Sequence, residues 1–245
     1  MGSIIILDHI SFSVQTSDII RNISYRFRER KVTVLVGPSG GGKSTLLKLA
    51  AGLLIPSSGS VYFWERDIAL MNRKENLNFR KSSAFVFQDS ALWANQSLYQ
   101  SLELPLKLHF PDMQRKDRDL RIREILSRVG YKRELSIRPS ELSMGEQKLI
   151  ACARAMLCHP NLYFLDELTE SLDDLSDQRL VNIIKSFKQE YKTIILVSHE
   201  FKVIKELADY VVVIAGGRFI QEFPIEDIQS NSDLIERLGG VDMTD

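Results

Sequence analysis

A glycine-rich segment, Gly37–Thr45, has the residue types and the spacing that bind phosphate groups. Its sequence, GPSGGGKST, fits the pattern G-x-x-x-x-G-K-[ST]. Glycines allow the backbone to curl so that successive N–H groups point at phosphate oxygens. Lys43 is expected to reach the β and γ phosphates, and Ser44 to place its hydroxyl on Mg²⁺. The predicted phosphate contacts are Gly37, Pro38, Ser39, Gly40, Gly41, Gly42, Lys43, Ser44 and Thr45.

A second group of residues that could act on phosphates follows a largely apolar segment, Leu162–Leu165. Asp166 and Glu167 come directly after it. An acid at the end of such a strand orients the magnesium ion of a bound nucleotide, and Asp166 is the candidate. Because an adjacent carboxylate can polarise the attacking water, Glu167 is a candidate general base.

Gln88 and His199 each follow a predicted strand as well. Gln88 comes after Ser83–Phe87, and Ser198 and His199 come after Thr193–Val197. The carboxyl ends of parallel strands meet at one edge of a sheet, where α/β proteins bind their ligands. We therefore expect Gln88 to touch Mg²⁺ or the attacking water, and His199 to lie near the γ-phosphate.

The segment Leu142–Gln147 contains a serine and a glycine at the start of a predicted helix, Met144–Met156. Ser143 occupies the position of an N-cap. Gly145 permits the close approach of another backbone. Taken alone, this arrangement fits an ordinary N-cap, and it also fits an anion site at a helix N-terminus.

Strands and helices alternate over most of the 245 residues, which predicts a mostly parallel sheet with both faces covered. The predicted strands are Ile4–Val14, Ile19–Phe27, Lys31–Val36, Ser60–Trp64, Ser83–Phe87, Asn161–Leu165, Thr193–Val197, Tyr210–Ile214 and Arg218–Glu222. The predicted helices are Lys43–Leu53, Leu98–His109 with an interruption at Pro105, Arg115–Val129, Met144–Met156, Leu175–Tyr191, Glu200–Leu207 and one near Asp233–Leu238. The chain is expected to form one unit: a nucleotide-binding core (1–90 and 158–222), a helical insertion (91–157) and a polar tail (223–245).

Net charge and the pattern of apolar residues argue against several classes of protein. Lys plus Arg and Asp plus Glu number 32 each, so the net charge is zero, whereas nucleic-acid-binding proteins usually have a basic excess. No apolar run approaches the ~18 residues that a membrane span needs, and we find no signal peptide at the start of the sequence. We expect a soluble, cytoplasmic protein that does not bind nucleic acid.

These segments together resemble the ATP-binding-cassette (ABC) ATPases, from about Leu7 to Glu222. The phosphate loop, Gln88, Leu142–Gln147, Asp166–Glu167, Leu172–Asp173 and His199 follow one another in the order of that family, and Leu142–Gln147 is similar to its signature sequence. The resemblance implies an α/β P-loop NTPase core with a mostly parallel sheet, an antiparallel β subdomain and an inserted α-helical subdomain. It also implies ATP and Mg²⁺ as ligands and ATP hydrolysis coupled to transport.

The resemblance further implies a homodimer in which ATP lies between the phosphate loop of one copy and the signature of the other. Glu167 would act as the base, and His199 would hold the γ-phosphate. Asp173 would make contact across the dimer, and Gln88 would pass movement to integral membrane permease subunits. The residues contacting ATP in trans would be Ser143, Met144, Gly145 and Glu146.

Several positions depart from the family pattern. Met144 replaces the first glycine of the signature, and Leu149 replaces a frequent arginine. Leu168 stands where proline is common, and Glu170 where a small residue is common. The position that usually stacks an aromatic side chain on adenine holds Val14, and Phe12 lies two residues earlier on the same strand face. These departures predict slow hydrolysis rather than loss of ATP binding.

The segment from Phe87 to Leu106 resembles the ATPases that power bacterial phospholipid transport, which predicts a lipid cargo and lipid-binding partner proteins. The block around Arg138 is also similar to lipoprotein-release ATPases.

Two other classes compete: cassette proteins acting on ribosomes or in DNA repair, and a regulator that binds nucleotide without turnover. The first usually has two cassettes or a long coiled coil, whereas this chain has one phosphate loop. We expect a peripheral protein on the inner face of the cell membrane.

Overall fold

A computed structural model describes residues 2–169 and 172–229. Two sheets and a group of helices make up the described chain. The strands are β1 (Ser3–Val14), β2 (Ser17–Arg28), β3 (Val32–Val36), β4 (Ser58–Phe63), β5 (Arg66–Asp67), β6 (Ser83–Val86), β7 (Leu162–Asp166), β8 (Thr193–Val197), β9 (Tyr210–Ala215) and β10 (Arg218–Pro224). The α-helices are α1 (Lys43–Ala50), α2 (Arg73–Ser82), α3 (Leu98–His109), α4 (Arg115–Arg128), α5 (Met144–Met156), α6 (Asp174–Gln189), α7 (Phe201–Leu207) and α8 (Ile225–Gln229).

The larger sheet has six strands in the order β10-β9-β3-β8-β7-β6. Its five strands from β9 to β6 are parallel, and β10 pairs antiparallel with β9. All five residues of β3, β7 and β8 are buried, as expected for strands covered on both faces. Because β3, β8, β7 and β6 are neighbours, the segments that follow them emerge at the same edge of the sheet.

The smaller sheet is antiparallel, with the order β2-β1-β4-β5. One of its faces is apolar and packs on α1, whose buried residues Leu46, Leu47 and Leu49 belong to the same core cluster. This contact places the antiparallel sheet over the start of α1, directly beside the glycine-rich segment.

Helices α3, α4 and α5 pack on one another and form the inserted helical part. Helix α3 continues through Pro105, so the predicted interruption is wrong. Proline removes one backbone donor from a helix. Leu98, Leu102 and Leu106 are each 0% exposed, and this buried face holds the helix together despite the lost bond.

Two helices were missing from the sequence prediction. Helix α2 begins at a complete capping box between Asn72 and Glu75, a signal that the sequence contains. The predicted tail begins inside β10, because Phe223 pairs with Val211, and Ile228 of α8 is 2% exposed in the core. The short helix predicted near Asp233–Leu238 lies outside the described residues.

No helix in the described parts of the chain, 2–169 and 172–229, combines the length and apolarity that a bilayer crossing requires.

Candidate functional site

The glycine-rich segment turns directly from β3 into α1. Gly37 has φ 139°, and a Cβ atom placed there would lie 2.0 Å from the carbonyl oxygen of Ile214 on β9. Gly42 is the N-cap of α1 with φ 97° and no side-chain cap. Only glycine satisfies both the positive φ and the close approach at Gly37. The turn therefore aims the first N–H groups of α1 and its positive dipole end outward, which is a phosphate-binding arrangement.

Lys43 and Ser44, the first two residues of α1, lie beside the end of β7. Lys43 is 5% exposed, and its Nζ donates to the carbonyl oxygens of Gly37 and Pro38, each at 2.9 Å. Burial lowers the pKa of Lys43, while Glu167 and Asp166 oppose this shift. The hydroxyl of Ser44 donates to Oδ1 of Asp166 at 2.7 Å. The two residues expected to hold Mg²⁺ are therefore in direct contact in the structure.

Glu167 lies between Gln88 and His199. Gln88 Nε2 donates to Glu167 Oε2 at 2.8 Å, and His199 Nε2 lies 3.1 Å from Glu167 Oε1. Glu167 has φ 46°, which is uncommon for a residue other than glycine. Its N–H donates to the carbonyl oxygen of Val197 at the end of β8. Strand pairing and side-chain contacts thus bring together three residues that are far apart in sequence.

These residues line a cleft of about 860 Å³. Its lining residues are Ile19, Ser39, Gly40, Gly41, Gly42, Lys43, Ser44, Thr45, Gln88, Glu167, Thr169, Ser198, His199 and Glu200. Ile19, Thr169, Ser198 and Glu200 were not among the predicted site residues. Ile19 had no sequence signal because its place at the cleft comes from the pairing of β2 with β1.

Phe12 and Val14, the residues predicted to contact adenine, are not among the described residues that line this cleft. Phe12 is half-buried against the core beneath the antiparallel sheet. Val14 is 48% exposed at the end of β1. Ile19, on the neighbouring strand, is the apolar residue from this sheet that reaches the cleft.

The signature-like segment forms the start of α5. Ser143 caps α5, accepting from Glu146 N–H at 3.2 Å, and Glu146 in turn accepts from Ser143 N–H at 3.0 Å. Gly145 packs on α6, where a Cβ atom would lie 2.4 Å from Ser176 Oγ and 3.7 Å from Asp173 Oδ2. Ser143, Met144, Gly145, Glu146 and Asp173 do not line the cleft of their own chain, as far as residues 2–169 and 172–229 show. The structure thus brings Gly145 and Asp173 together, away from the phosphate loop.

Three residues that depart from the family pattern can be placed. Leu149 and Leu168 are 2% and 1% exposed in the main core cluster. Met144 is 56% exposed at the first position of α5. Glu170 lies outside the described residues. The two leucines therefore serve packing, whereas Met144 is presented on the surface.

The oxygen atoms at the end of β7 fit a magnesium ion that is also held by a nucleotide. Mg²⁺ prefers oxygen ligands and usually combines one or two carboxylates with phosphates and water. Ser44 Oγ and Asp166 Oδ1 are such ligands and lie 2.7 Å apart. Among the described residues, no cluster of three or more His, Cys, Asp or Glu side chains could hold a metal ion without further ligands. Phosphate oxygens would supply the remaining positions and Gln88 is the third protein candidate.

We predict that Asp166→Asn stabilises the chain in the absence of nucleotide. Asp166 is 3% exposed, and burial raises its pKa above the ordinary 3.8. Folding therefore disfavours the ionised carboxylate relative to the unfolded chain, which costs stability at pH 7. This cost disappears well below pH ~4, where Asp166 is protonated in both the folded and the unfolded chain. The variant should melt roughly 2–4 °C higher at pH 7, the shift that about 1 kcal/mol causes in a domain of this size.

The melting temperature should be measured between pH 4 and 8 without Mg²⁺, and the gain should shrink as the pH falls. Asp173→Asn is the control, because Asp173 is exposed and its carboxylate caps α6 by accepting from Ser176 N–H at 3.0 Å. This control should not raise the melting temperature. A lower melting temperature for Asp166→Asn at pH 7 would contradict the burial argument.

The fold and this site define a nucleotide-binding protein of the P-loop class. Comparison with known proteins then gives the family: residues 20–170 match the family model described as ABC transporter. The dimeric structure of MJ0796, a bacterial ABC transporter cassette, resembles this chain with a TM-score of 0.83 and 25% identity, covering 90% of this chain and 98% of that chain. The chain belongs to the ABC transporter family. The predicted fold class and family resemblance are confirmed.

Two kinds of curated relative are similar to the chain. The methionine import ATP-binding protein MetN 1 of Acinetobacter baylyi is 32% identical over 213 residues, covering 86% of this chain and 59% of the relative. The intermembrane phospholipid transport system ATP-binding protein MlaF of Haemophilus influenzae is 30% identical over 233 residues, covering 95% of this chain and 88% of the relative. The chain spans 59–66% of the length of the first methionine import relatives it matches.

Proposed function

We propose that the chain binds Mg²⁺ and ATP at the phosphate loop and hydrolyses ATP with Glu167 as the general base. The observation that carries this proposal is the position of Glu167, whose carboxylate is held by Gln88 at 2.8 Å and His199 at 3.1 Å at the edge of the phosphate cleft. A carboxylate held there can accept a proton from the attacking water. His199 contacts the γ-phosphate, and Ser44, Asp166 and Gln88 hold the metal.

The working form is a homodimer with two composite sites. Ser143, Met144, Gly145 and Glu146 of each copy complete the site of the other, and Asp173 makes contact across the dimer. Two features support this arrangement: these residues do not line the cleft of their own chain among the described residues, and the similar cassette MJ0796 was solved as a dimer. A pair related by a two-fold axis uses the same surface twice and closes on itself.

The dimer works with integral membrane permease subunits at the inner face of the cell membrane. The helical part, residues 91–157, exposes large apolar side chains, among them Trp93 at 50%, Leu104 at 42% and Leu108 at 57%. Exposed apolar side chains of this size favour contact with another protein. Gln88 at the junction of the core (1–90 and 158–222) and the helical part passes movement between them.

The cargo that we propose is a lipid, supplied by lipid-binding partner proteins. The similarity of the segment from Phe87 to Leu106 to phospholipid-transport ATPases supports this choice, as does the relative MlaF, which is a phospholipid transport ATP-binding protein. Methionine is the second candidate, because several relatives of similar identity are methionine import proteins. Lipoprotein release and a slow nucleotide-binding regulator are the further alternatives.

The test is to isolate the chain with the membrane subunits that accompany it and place the complex in lipid nanodiscs. ATP hydrolysis should be slow for the chain alone and faster in the complex. Phospholipid-loaded partner protein should stimulate the complex further, and methionine should not. Stimulation by methionine would replace the lipid proposal, and equal rates with and without membrane subunits would contradict coupling to transport.

We predict that Met144→Gly raises the rate of ATP hydrolysis severalfold. Met144 is 56% exposed at the first turn of α5, on the surface proposed to face the nucleotide of the partner copy. A long side chain there holds the partner's phosphates away from the N–H groups of α5, and glycine removes it. Turnover at saturating ATP is the measurement, with Met144→Leu as the control that keeps the bulk. An unchanged or lower rate for the glycine variant would show that Met144 does not crowd the site.

A further inference from the structure

Lys148, in the second turn of α5, has a buried ammonium group. The residue is 2% exposed, although lysine is almost never fully buried. Taking an ammonium group out of water costs several kcal/mol unless polar groups receive it. Such a residue is expected to serve a contact that a hydrophobic side chain could not make.

The contact is with the main chain of Glu167. Lys148 Nζ donates to the carbonyl oxygen of Glu167 at 3.3 Å. On its other side, the N–H of Glu167 donates to the carbonyl oxygen of Val197 at 3.1 Å. The backbone of Glu167 is therefore held from α5 and from β8 at once.

These two hydrogen bonds hold the backbone of Glu167, whose conformation is strained. Glu167 has φ 46°, a conformation that is unfavourable for a residue with a side chain. The direction of its carboxylate, toward Gln88 and His199, depends on that conformation. Without the contact to Lys148, the peptide following Glu167 could rotate and carry the carboxylate away.

We propose that Lys148 is a positioning residue that fixes the general base Glu167 from the signature helix. It acts through the backbone of Glu167 and does not touch the nucleotide. The proposal rests on the role proposed for Glu167 as the base. The two proposals can be tested separately, because replacing Lys148 should lower the rate of the chemical step without weakening nucleotide binding.

The test is Lys148→Met in the complex with its membrane subunits. Methionine fills a similar volume without a charge, so the fold should be retained or become more stable. Turnover at saturating ATP should fall at least tenfold, because a displacement of ~1 Å of a catalytic group can cost ~10²-fold. The KM for ATP should change less than twofold, and Lys148→Arg should recover part of the rate.

A matched control is available on α6. Lys188 also donates its Nζ to backbone carbonyl oxygens, those of Leu207 at 2.8 Å and Ala208 at 3.3 Å. Lys188→Met removes these contacts, together with an ion pair to Asp209 at 3.3 Å, beside the start of β9, so it should lower the melting temperature and leave turnover unchanged. Should Lys148→Met fail to fold, Lys148→Gln provides a second variant that keeps a side-chain donor.

A double-mutant cycle with Glu167→Gln separates the two proposals. If Lys148 acts through Glu167, Lys148→Met should slow the wild type but not the Glu167→Gln variant. An equal fall in both backgrounds, or a wild-type rate for Lys148→Met alone, overturns the positioning role. A wild-type rate for Glu167→Gln alone overturns the base assignment instead.

Discussion

Glu167→Gln is expected to reduce ATP hydrolysis by ~10²–10⁴-fold, the contribution usual for a general base, while ATP binding is kept. The amide retains an oxygen that can accept from Gln88, which contacts Glu167 at 2.8 Å, so the geometry of the cleft should survive. Lys43, Ser44 and Asp166, which we propose to hold the nucleotide and its metal ion, are unchanged in this variant. In the proposed dimer, ATP lies between the two copies, so a variant that keeps its ATP should remain a dimer once ATP is added.

The measurements are turnover in the assembled complex and the mass of the isolated chain with and without Mg²⁺ and ATP. Glu200→Gln is the matched control, since Glu200 lines the same cleft but has no proposed part in the reaction. The control should hydrolyse ATP at close to the wild-type rate and should not accumulate as a dimer. If Glu167→Gln hydrolyses at the wild-type rate in the complex, another group is the base.

The phosphate site could be predicted from the sequence because its chemistry is local. The loop is formed by consecutive residues from Gly37 to Ser44, and Gly37, Gly40 and Gly42 have positive φ values that favour glycine. The acids after β7 and the histidine after β8 were also predictable, because buried strands in an α/β pattern end at one edge. What the sequence did not supply was the geometry of Glu167 between Gln88 and His199, which depends on the order of the strands.

The apolar side chain that lines the cleft could not be predicted from the sequence. Counting from the phosphate loop gives Val14, and strand alternation adds Phe12, but Ile19 of β2 is the residue that lines the cleft. The pairing of β1 with β2 contains several register shifts, including one between Phe12 and Ser13. Because Phe12 pairs with Ile20 and Ser13 with Asp18, the extra residue at this shift is Ile19 of β2, which counting along β1 cannot predict.

Lys148 was missed for a related reason. Its neighbours on α5 are apolar and buried, and a lysine in such a helix is usually expected to reach solvent. Its side chain instead lies against the end of β7, because α5 packs beside the core sheet. The sequence signal was one charged residue on a helix face that is otherwise buried. Hydrophobic periodicity alone cannot distinguish such a residue from an ordinary interruption of the apolar pattern.

Gly145→Ala is expected to destabilise the chain and abolish ATP-dependent dimer formation. A Cβ atom at Gly145 would lie 2.4 Å from Ser176 Oγ and 2.7 Å from Ser176 Cβ, closer than unstrained atoms allow. Overpacking of this kind costs about 1–3 kcal/mol, which corresponds to a melting temperature lower by roughly 2–12 °C. The displacement would also separate α5 from Asp173, so both proposed dimer contacts would move.

Ser176→Gly in the same chain tests the steric cause. It removes both atoms that the new methyl group would meet, at a cost of ~1 kcal/mol for glycine in a helix, so the double variant should recover stability relative to Gly145→Ala. Ser176→Gly alone is the control, since it carries the cost of glycine in α6 without the added methyl group. A wild-type melting temperature for Gly145→Ala would disprove the clash. If the double variant regains stability but still does not dimerise, Gly145 is required at the partner's nucleotide and not only for packing on α6.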